Sequence, residues 1–369
     1  MSPRTAIDRV FDILARRLDG PLMVTLVVLA ALSLAVVYSA SGQSNDRTLG
    51  QARNFAVALV VLWVAAKIPP QQLMRLAVPI YIAGLSLLVS VALFGDIRNG
   101  ARRWLNLGFI TIQPSEIMKI GVPLLLAAYF HRKEDGLNMK DYFFAGLILL
   151  LPAGLIMRQP DLGTSVLIFS SGFFVIFLAG LSWRLLIAAG IAGLAALPFA
   201  WNMLHDYQRT RVLTLLDPGT DPLGAGYHII QSTIAIGSGG VFGKGWLNGS
   251  QSRLDFIPER STDFILAVLG EEFGLIGLLL LITLYLIIIG RGLMIAINAP
   301  TTFSRLLAGA ITMTFFTYAF VNIGMVTGVL PVVGVPLPLV SYGGTAILSM
   351  FMGFGILMSI ASHKRLVST

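Results

Sequence analysis

The chain has 369 residues, of which 56% are hydrophobic and only 12% charged, whereas a soluble domain usually carries about 25% charged residues. Its net charge of +8 does not predict a nucleic-acid-binding protein, because no basic stretch is interleaved with exposed aromatic residues. The absence of cysteine excludes a thiol nucleophile, a disulfide framework and a thiolate zinc site. This composition is typical of an integral membrane protein.

A membrane span needs about 20 mostly apolar residues, because a helix rises about 1.5 Å per residue through about 30 Å of hydrocarbon. The first apolar run ends without a clear small-residue cleavage site and predicts a retained signal anchor. We therefore predict an all-α polytopic membrane protein that forms one membrane domain over residues 1–369, with about ten transmembrane helices. The predicted spans are 21–41, 52–68, 75–95, 115–131, 142–158, 163–181, 183–202, 262–290, 303–330 and 343–362.

The distribution of Lys and Arg predicts the orientation of these spans. Fourteen lie in the terminal segments and the short loops on the same side, and six lie in the short loops on the other side. Both termini are therefore expected in the cytoplasm. The one long connection, about residues 203–261, is then extracytoplasmic. Its apolar residues, such as Tyr227, Ile229 and Trp246, predict short helices lying at the outer membrane surface.

Two acidic residues follow prolines at predicted helix starts on the outer side. Glu116 shares a helical face with Lys119 at the i,i+3 spacing, which indicates either an intrahelical ion pair or a charged site for a substrate or metal. Asp161 is typical of a helix N-cap. If Asp161 instead faces Glu116, the two carboxylates offer oxygen ligands to a divalent cation.

The segment 256–263 places Glu259, Arg260 and Asp263 directly before the eighth span. Taken alone, Asp263 is typical of a helix cap. Ser341 and Tyr342 open the tenth span at the same predicted face, after a stretch with three prolines that cannot be regular helix. Irregular backbone beside membrane spans is buried in protein or lines a wet cavity, so this stretch is expected to be a rigid turn or a cavity wall.

Two further features lie near the eighth span. Glu271 and Glu272 are expected about 12 Å deeper than Asp263 along a continuous helix, which indicates a buried polar network. The glycine-rich segment 237–245 does not match a nucleotide-binding P-loop, because Ser238 replaces the required first glycine and Gly245 follows Lys244 where Ser or Thr is required.

Six segments in order along the chain resemble the SEDS (shape, elongation, division and sporulation) family, and its elongation branch more than its division branch. They are GARRW (100–104), QPSEIMK (113–119), QPDLGTS (159–165), LLDPGTDPLGAGYHIIQS (215–232), FIPERSTD (256–263) and the stretch 331–344. The resemblance implies ten spans in a bacterial inner membrane and polymerisation of lipid II into glycan strands, in complex with a class B penicillin-binding transpeptidase of the elongation machinery. It also implies that Asp263 matches the essential aspartate of the family. Glu116, Lys119 and Asp161 match its conserved cavity residues, while Arg102 departs from the expected pattern.

These inferences give a hypothesis for the chemistry. A base must take the proton of the acceptor 4-hydroxyl, and Asp263 is our candidate. The leaving diphosphate needs cations. The candidate substrate-binding residues are Arg103, Glu116, Lys119, Asp161, Arg209, Arg211, Arg260, Ser341 and Tyr342, and Glu116 and Asp161 are candidate ligands of a Mg²⁺ or Mn²⁺ ion. The alternatives are a lipid II flippase and a scaffold for the transpeptidase.

Overall fold

The computed structural model describes residues 18–98, 101–106, 111–133, 136–159, 161–203, 206–221, 224–254 and 256–363. Both chain termini, on which the predicted cytoplasmic orientation partly depends, lie outside the described residues. So do Gly100, Pro160, Pro222 and Leu223 of the segments that carry the family resemblance.

Ten long helices coincide with the ten predicted spans, which confirms the predicted fold class. Seven of them, among the described residues, are long and apolar enough to cross a membrane, and Leu162–Leu178 and Trp183–Phe199 are shorter apolar helices. The ten helices are α1 (Gly20–Ala40), α2 (Asn45–Lys67), α3 (Pro70–Phe94), α4 (Pro114–His131), α5 (Met139–Arg158), α6 (Leu162–Leu178), α7 (Trp183–Met203), α11 (Ile265–Ile297), α12 (Thr302–Val326) and α13 (Gly344–Ser362).

The long connection between α7 and α11 contains the predicted short helices. They are α8 (Asp206–Leu216), a 3₁₀ turn (Pro218–Thr220), α9 (Ala225–Gly239) and α10 (Ser250–Arg253). Among these, α9 packs most extensively against α11. The end of the helix bundle at which α1 and α12 finish, at Ala40 and Val326, is called the loop end below. The position of these helices at the outer membrane surface stays a prediction.

A small antiparallel sheet joins α3 to α4, and the sequence did not predict it. Its strands are β1 (Asp96–Arg98), β2 (Ala101–Asn106) and β3 (Thr111–Ile112), in the order β1-β2-β3. Strands this short carry no readable alternation of apolar and polar residues. The pairing of β1 with β2 shifts between Asp96 and Ile97, whose partners are Trp104 and Arg102, so Arg103 lies at a β-bulge.

Helix α11 is not continuous, because Gly274 breaks it with a positive φ of 64°. A Cβ atom at Gly274 would lie 2.3 Å from the backbone nitrogen of Gly243, so only glycine fits there. The glycine-rich segment pairs with this break through its backbone, as Leu275 N–H donates to the Gly240 carbonyl at 3.0 Å. The role of the glycine-rich segment is therefore structural, because its backbone hydrogen bonds hold the break in α11.

An ion pair ties α1 to α11 at the opposite end of the bundle. The guanidinium of Arg291 donates to both carboxylate oxygens of Asp19, at 2.6 to 3.1 Å. Asp19 also caps α1, because its Oδ1 accepts from Leu22 N–H at 3.2 Å. The carboxylate side chain is only 7% exposed and the Arg291 side chain 33%, so the pair is largely withdrawn from water.

We expect Arg291→Met to lower the free energy of unfolding by about 1–3 kcal/mol, because it leaves a buried carboxylate without its cation, and the partial exposure of Arg291 moderates the loss. Thermal unfolding in detergent measures the change. The double variant Asp19→Asn/Arg291→Met keeps a capping side chain and removes both charges, so it is expected to recover most of the loss. A double variant as unstable as the single one would contradict this account.

Candidate functional site

Asp263 lies in a tight turn that precedes α11. The turn is closed by Thr262 N–H and Phe264 N–H, which both donate to the Glu259 carbonyl, at 3.0 and 3.2 Å. The N-cap position of α11 is Phe264, and no side chain caps this helix. Asp263 is therefore not a helix cap, and its carboxylate is available for another role.

Three successive carbonyls of this turn are held by three separate donors from the loop and helices around it. Such multiple attachment fixes the backbone that carries Asp263 and so restricts where its carboxylate can lie. The donors are Tyr342 N–H to Ser261 at 2.9 Å, Ser341 Oγ to Thr262 at 2.5 Å and Asn322 Nδ2 to Asp263 at 2.8 Å.

The surroundings of Asp263 raise the pKa of its carboxyl group to about 6. Burial is the main cause, and the negative charge of Glu259 adds to it, while the positive charge of Arg211 acts in the opposite direction. A Cβ atom at Gly334 would lie 3.4 Å from Asp263 Oδ2, so the proline-rich stretch forms one wall beside the carboxylate. A base with this pKa is deprotonated near neutral pH and still accepts a proton well.

Ser341 and Tyr342 lie next to Asp263, as the sequence predicted, but Ser341 works within the protein. Its Oγ donates to Thr262 and accepts from Leu337 N–H at 2.8 Å. Gln51, which the sequence analysis missed, is completely buried behind them. Its Nε2 donates to the Ser341 carbonyl at 3.0 Å and to Ser33 Oγ at 3.1 Å. Substrate binding by Ser341 and Tyr342 stays a prediction.

Glu116 and Lys119 form the intrahelical ion pair that their spacing indicated, with Nζ 2.6 Å from Oε1. The pair does not stand alone, however, because two polar side chains from other helices complete it. Ser349 Oγ in α13 donates to Glu116 Oε2 at 2.6 Å, and Lys119 Nζ donates to the Tyr318 hydroxyl in α12. Neither partner was predicted from the sequence, because each is one of several uncharged polar residues in its span.

Asp161 caps α6, as the first of its two interpretations predicted. Its Oδ1 accepts from Thr164 N–H at 3.1 Å, and its Oδ2 lies 3.7 Å from Arg103 Nε. The proline-rich stretch approaches this helix start as well, because a Cβ atom at Gly163 would lie 2.7 Å from the Val333 carbonyl. The same stretch therefore contacts both the start of α6, which Asp161 caps, and the Asp263 carboxylate.

The remaining predicted cations are at two different places. Arg260 Nη1 donates to the Ser252 carbonyl at the end of α10, and Arg211 acts on Asp263 electrostatically. Arg209 instead caps the end of α7, donating to the carbonyls of Trp201 at 3.0 Å and Asn202 at 2.9 Å. The guanidinium of Arg209 is thus turned toward α7, and its role in substrate binding stays a prediction. Arg47 Nη1, which was not predicted, donates to Ser261 Oγ at 3.0 Å.

The described residues do not form a metal site by themselves. Among them, no group of three or more His, Asp or Glu side chains could hold a metal ion. The two predicted ligands are already engaged, Glu116 by Lys119 and Ser349, and Asp161 by Thr164 and Arg103. Because this donor set does not fit Mg²⁺ or Mn²⁺, no catalytic step is derived through an ion.

Glu271 and Glu272 form the predicted buried network, but the greater depth predicted for them is wrong. Glu272 accepts from Ser39 Oγ, next to the loop end of α1, whereas Val340, one residue before Ser341, accepts from Ser33 Oγ at 2.8 Å. Ser33 and Ser39 are six residues apart in α1, which places Glu272 about 9 Å nearer the loop end than Val340. The prediction assumed one straight helix, whereas Gly274, two residues after Glu272, breaks α11, so the part that carries the two acids does not follow the direction of the long part behind it.

The comparisons with known proteins agree with this architecture. The model of the cell cycle protein family FTSW_RODA_SPOVE matches residues 20–366. The peptidoglycan glycosyltransferase MrdB of Escherichia coli K12 is 53% identical over 355 residues, which cover 95% of each chain.

Two solved structures show the same fold. One, described as structural coordination of polymerization and crosslinking by a peptidoglycan synthase complex, has a TM-score of 0.82 and 33% identity over 94% of this chain and 98% of that chain. The rod shape determining protein RodA of Thermus thermophilus has a TM-score of 0.72 and 27% identity over 94% of this chain and 97% of that chain. With this extent of sequence and structural agreement, the chain is a multi-pass membrane protein that belongs to the cell cycle protein family FTSW_RODA_SPOVE.

Proposed function

We propose that this chain is a peptidoglycan glycosyltransferase that polymerises lipid II into β-1,4 glycan strands during cell elongation and rod-shape maintenance. The observation that carries the proposal is the Asp263 carboxylate, which lies in a turn held by three hydrogen bonds to its backbone carbonyls and which has a pKa raised to about 6. The 53% identity to MrdB, which is named a peptidoglycan glycosyltransferase, supports the same reaction class.

In this reaction the 4-hydroxyl of one GlcNAc attacks the anomeric carbon of the MurNAc of another lipid II molecule, and undecaprenyl diphosphate leaves. Asp263 accepts the hydroxyl proton as the new C–O bond forms. Because the α-linked donor gives a β-linked product, the displacement is direct. No covalent intermediate is needed, and one base is sufficient.

The leaving diphosphate gains negative charge, which nearby cations stabilise. Arg211 acts on Asp263 and Arg260 lies in the same turn, while Lys119 pairs with Glu116 and Arg103 with Asp161. We assign the binding of the leaving diphosphate to these four cations together. The site thus offers positive charge both beside Asp263 and beside Glu116 and Asp161, which suits two substrates that each carry a diphosphate.

The setting follows from the same proposal. The protein is placed in the bacterial inner membrane as one membrane domain with both termini in the cytoplasm, and it works with a class B penicillin-binding transpeptidase of the elongation machinery. The similarity to a structure described as a peptidoglycan synthase complex supports a transpeptidase partner. A Mg²⁺ or Mn²⁺ requirement stays a separate prediction, which activity with and without a chelator would test.

Polymerisation of lipid II in detergent tests the function directly, because there is no membrane across which a flippase could act. The purified protein with its transpeptidase partner is expected to convert lipid II into glycan strands that are resolved by gel electrophoresis. Absence of polymer from the folded wild-type complex under all metal conditions would favour the flippase instead. A scaffold would leave polymerisation absent in vitro and rod-shaped growth unaffected by Asp263→Asn.

A further inference from the structure

Asn322 is a buried polar residue inside the apolar helix α12. Its side chain is completely buried, and it lies one helical turn before the end of the helix at Val326. A buried amide costs free energy unless it is hydrogen-bonded. A single amide in such a place therefore indicates a defined task, which its partners identify.

Both partners of the Asn322 amide are backbone carbonyls beside the candidate base. Nδ2 donates to the Asp263 carbonyl at 2.8 Å and to the Val335 carbonyl at 2.7 Å. Since both groups are acceptors, only the NH₂ group can face them, and the orientation of the amide follows from chemistry alone. Oδ1 has no hydrogen-bond partner among the described residues, so the donors are what hold the amide here.

The two carbonyls belong to the two segments that flank the carboxylate. One is the carbonyl of Asp263 itself. The other belongs to Val335, which follows Gly334, and a Cβ atom added at Gly334 would lie 3.4 Å from Asp263 Oδ2. Asn322 therefore sets the distance between the base and the wall beside it. Ser341 and Tyr342 hold the carbonyls of the preceding residues, but Asn322 holds that of Asp263.

We propose that Asn322 is a positioning residue for the polymerisation reaction, which fixes Asp263 against the proline-rich wall through its two carbonyl contacts. The inference rests on the proposed function, in which Asp263 is the base. Positioning matters because a displacement of about 1 Å at a reacting group can lower a rate about 100-fold. Because Asn322 touches only backbone carbonyls, its loss affects the rate of the chemical step and leaves substrate binding largely unchanged.

The first experiment separates kcat from KM. Asn322→Ala is expected to lower kcat for lipid II polymerisation about 10- to 100-fold and to change KM by less than about 2-fold. Thr312→Val is the matched control, because Thr312 is similarly buried in the same helix and donates only within it, to the Ala308 carbonyl at 2.8 Å. The control is expected to keep wild-type kinetics. Equal losses in both variants, or a rise in KM with kcat unchanged, would overturn the proposal.

The second experiment uses the pH profile, which reports on the surroundings of the Asp263 carboxylate and which a general loss of folded protein would not move. Asn322→Asp places a carboxyl group next to Asp263, so the acid limb of the kcat profile is expected to move to higher pH. The other groups that act on Asp263 are Glu259 and Arg211, and His228 stacks on the adjacent Phe264; all remain in the variant. An unchanged acid limb in folded Asn322→Asp protein would overturn the proposal.

A further variant covers the case that Asn322→Ala does not fold, and Asp263→Asn separates a failure of this proposal from a failure of the base assignment. If Asn322→Ala does not fold, as judged by size-exclusion chromatography, Asn322→Ser keeps one donor, and its kcat is expected to lie below that of wild type by less than the loss expected for Asn322→Ala. A folded Asn322→Ser variant with wild-type kcat would overturn the proposal. If Asp263→Asn retains activity, the assignment of the base fails instead, whatever the Asn322 variants show.

Discussion

Asp263→Asn is expected to lower the rate of lipid II polymerisation about 10²- to 10⁴-fold, the usual contribution of a positioned general base. The substitution keeps the size of the side chain and removes only its capacity to accept the hydroxyl proton. The backbone contacts of the turn, to Ser341, Tyr342 and Asn322, do not involve the carboxylate and persist. The rate is measured with purified complex and lipid II in detergent.

The control for this variant is Asp46→Asn, which removes the same charge from an exposed position in the first turn of α2. It is expected to polymerise lipid II at close to the wild-type rate. Near-normal activity of Asp263→Asn would remove Asp263 as the base, and an equal loss in Asp46→Asn would attribute the effect to net charge alone.

The pH dependence of the wild-type rate provides an independent check. The pKa of Asp263 is raised to about 6, so kcat is expected to fall about tenfold per pH unit below that value, as the base becomes protonated. Glu259→Gln removes the negative charge that contributes to the raised pKa, and the acid limb is therefore expected to move to lower pH. An acid limb that stays in place in this variant would contradict the electrostatic account.

The same shift indicates that inactivity of Asp263→Asn will not result from unfolding. A carboxyl group with a raised pKa binds its proton more tightly in the folded chain than in the unfolded chain. Its stabilising contribution is complete below the ordinary pKa and is lost as the pH rises through about 6. At neutral pH the uncharged amide that Asp263→Asn introduces avoids this loss, so the variant is expected to melt at the wild-type temperature or above it.

The ten helices could be predicted because membrane spans carry their own signal. Length and apolar composition decide whether a helix can cross the hydrocarbon layer, and both are local properties. Asp263 and the Glu116–Lys119 pair could also be located, since ionisable residues at membrane depth are functional candidates in any sequence. The helix break at Gly274 was missed, because its cause is the close approach of Gly243, 31 positions earlier in the chain.

The polar residues that organise the site could not be predicted as a group. Gln51, Tyr318, Asn322 and Ser349 are uncharged, and each is one of several polar residues in its helix, so no local signal distinguished them. Their partners lie far away along the chain, as with Asn322 and Asp263 or Ser349 and Glu116. A helical pattern shows which face a residue occupies, but not which neighbouring helix supplies its partner.

Lys119→Met is expected to have the largest effect on stability, about 3–5 kcal/mol, because it leaves Glu116 buried without its cation. The side chains of Lys119 and Glu116 are only 7% and 13% exposed, so water cannot replace the lost partner. Glu116 would keep only the hydroxyl of Ser349. Thermal unfolding in detergent measures the loss, and an unchanged melting temperature would contradict the burial argument.

The double variant Lys119→Met/Glu116→Gln then separates structure from function at this pair. It removes both charges and keeps a polar group for Ser349, so the melting temperature is expected to return close to the wild-type value. If Lys119 helps to stabilise the leaving diphosphate, this refolded variant still lacks a cation and polymerises lipid II at least about 10-fold more slowly. Recovery of both stability and activity would assign the pair to the fold alone. The candidate substrate cations would then be Arg103, Arg209, Arg211 and Arg260.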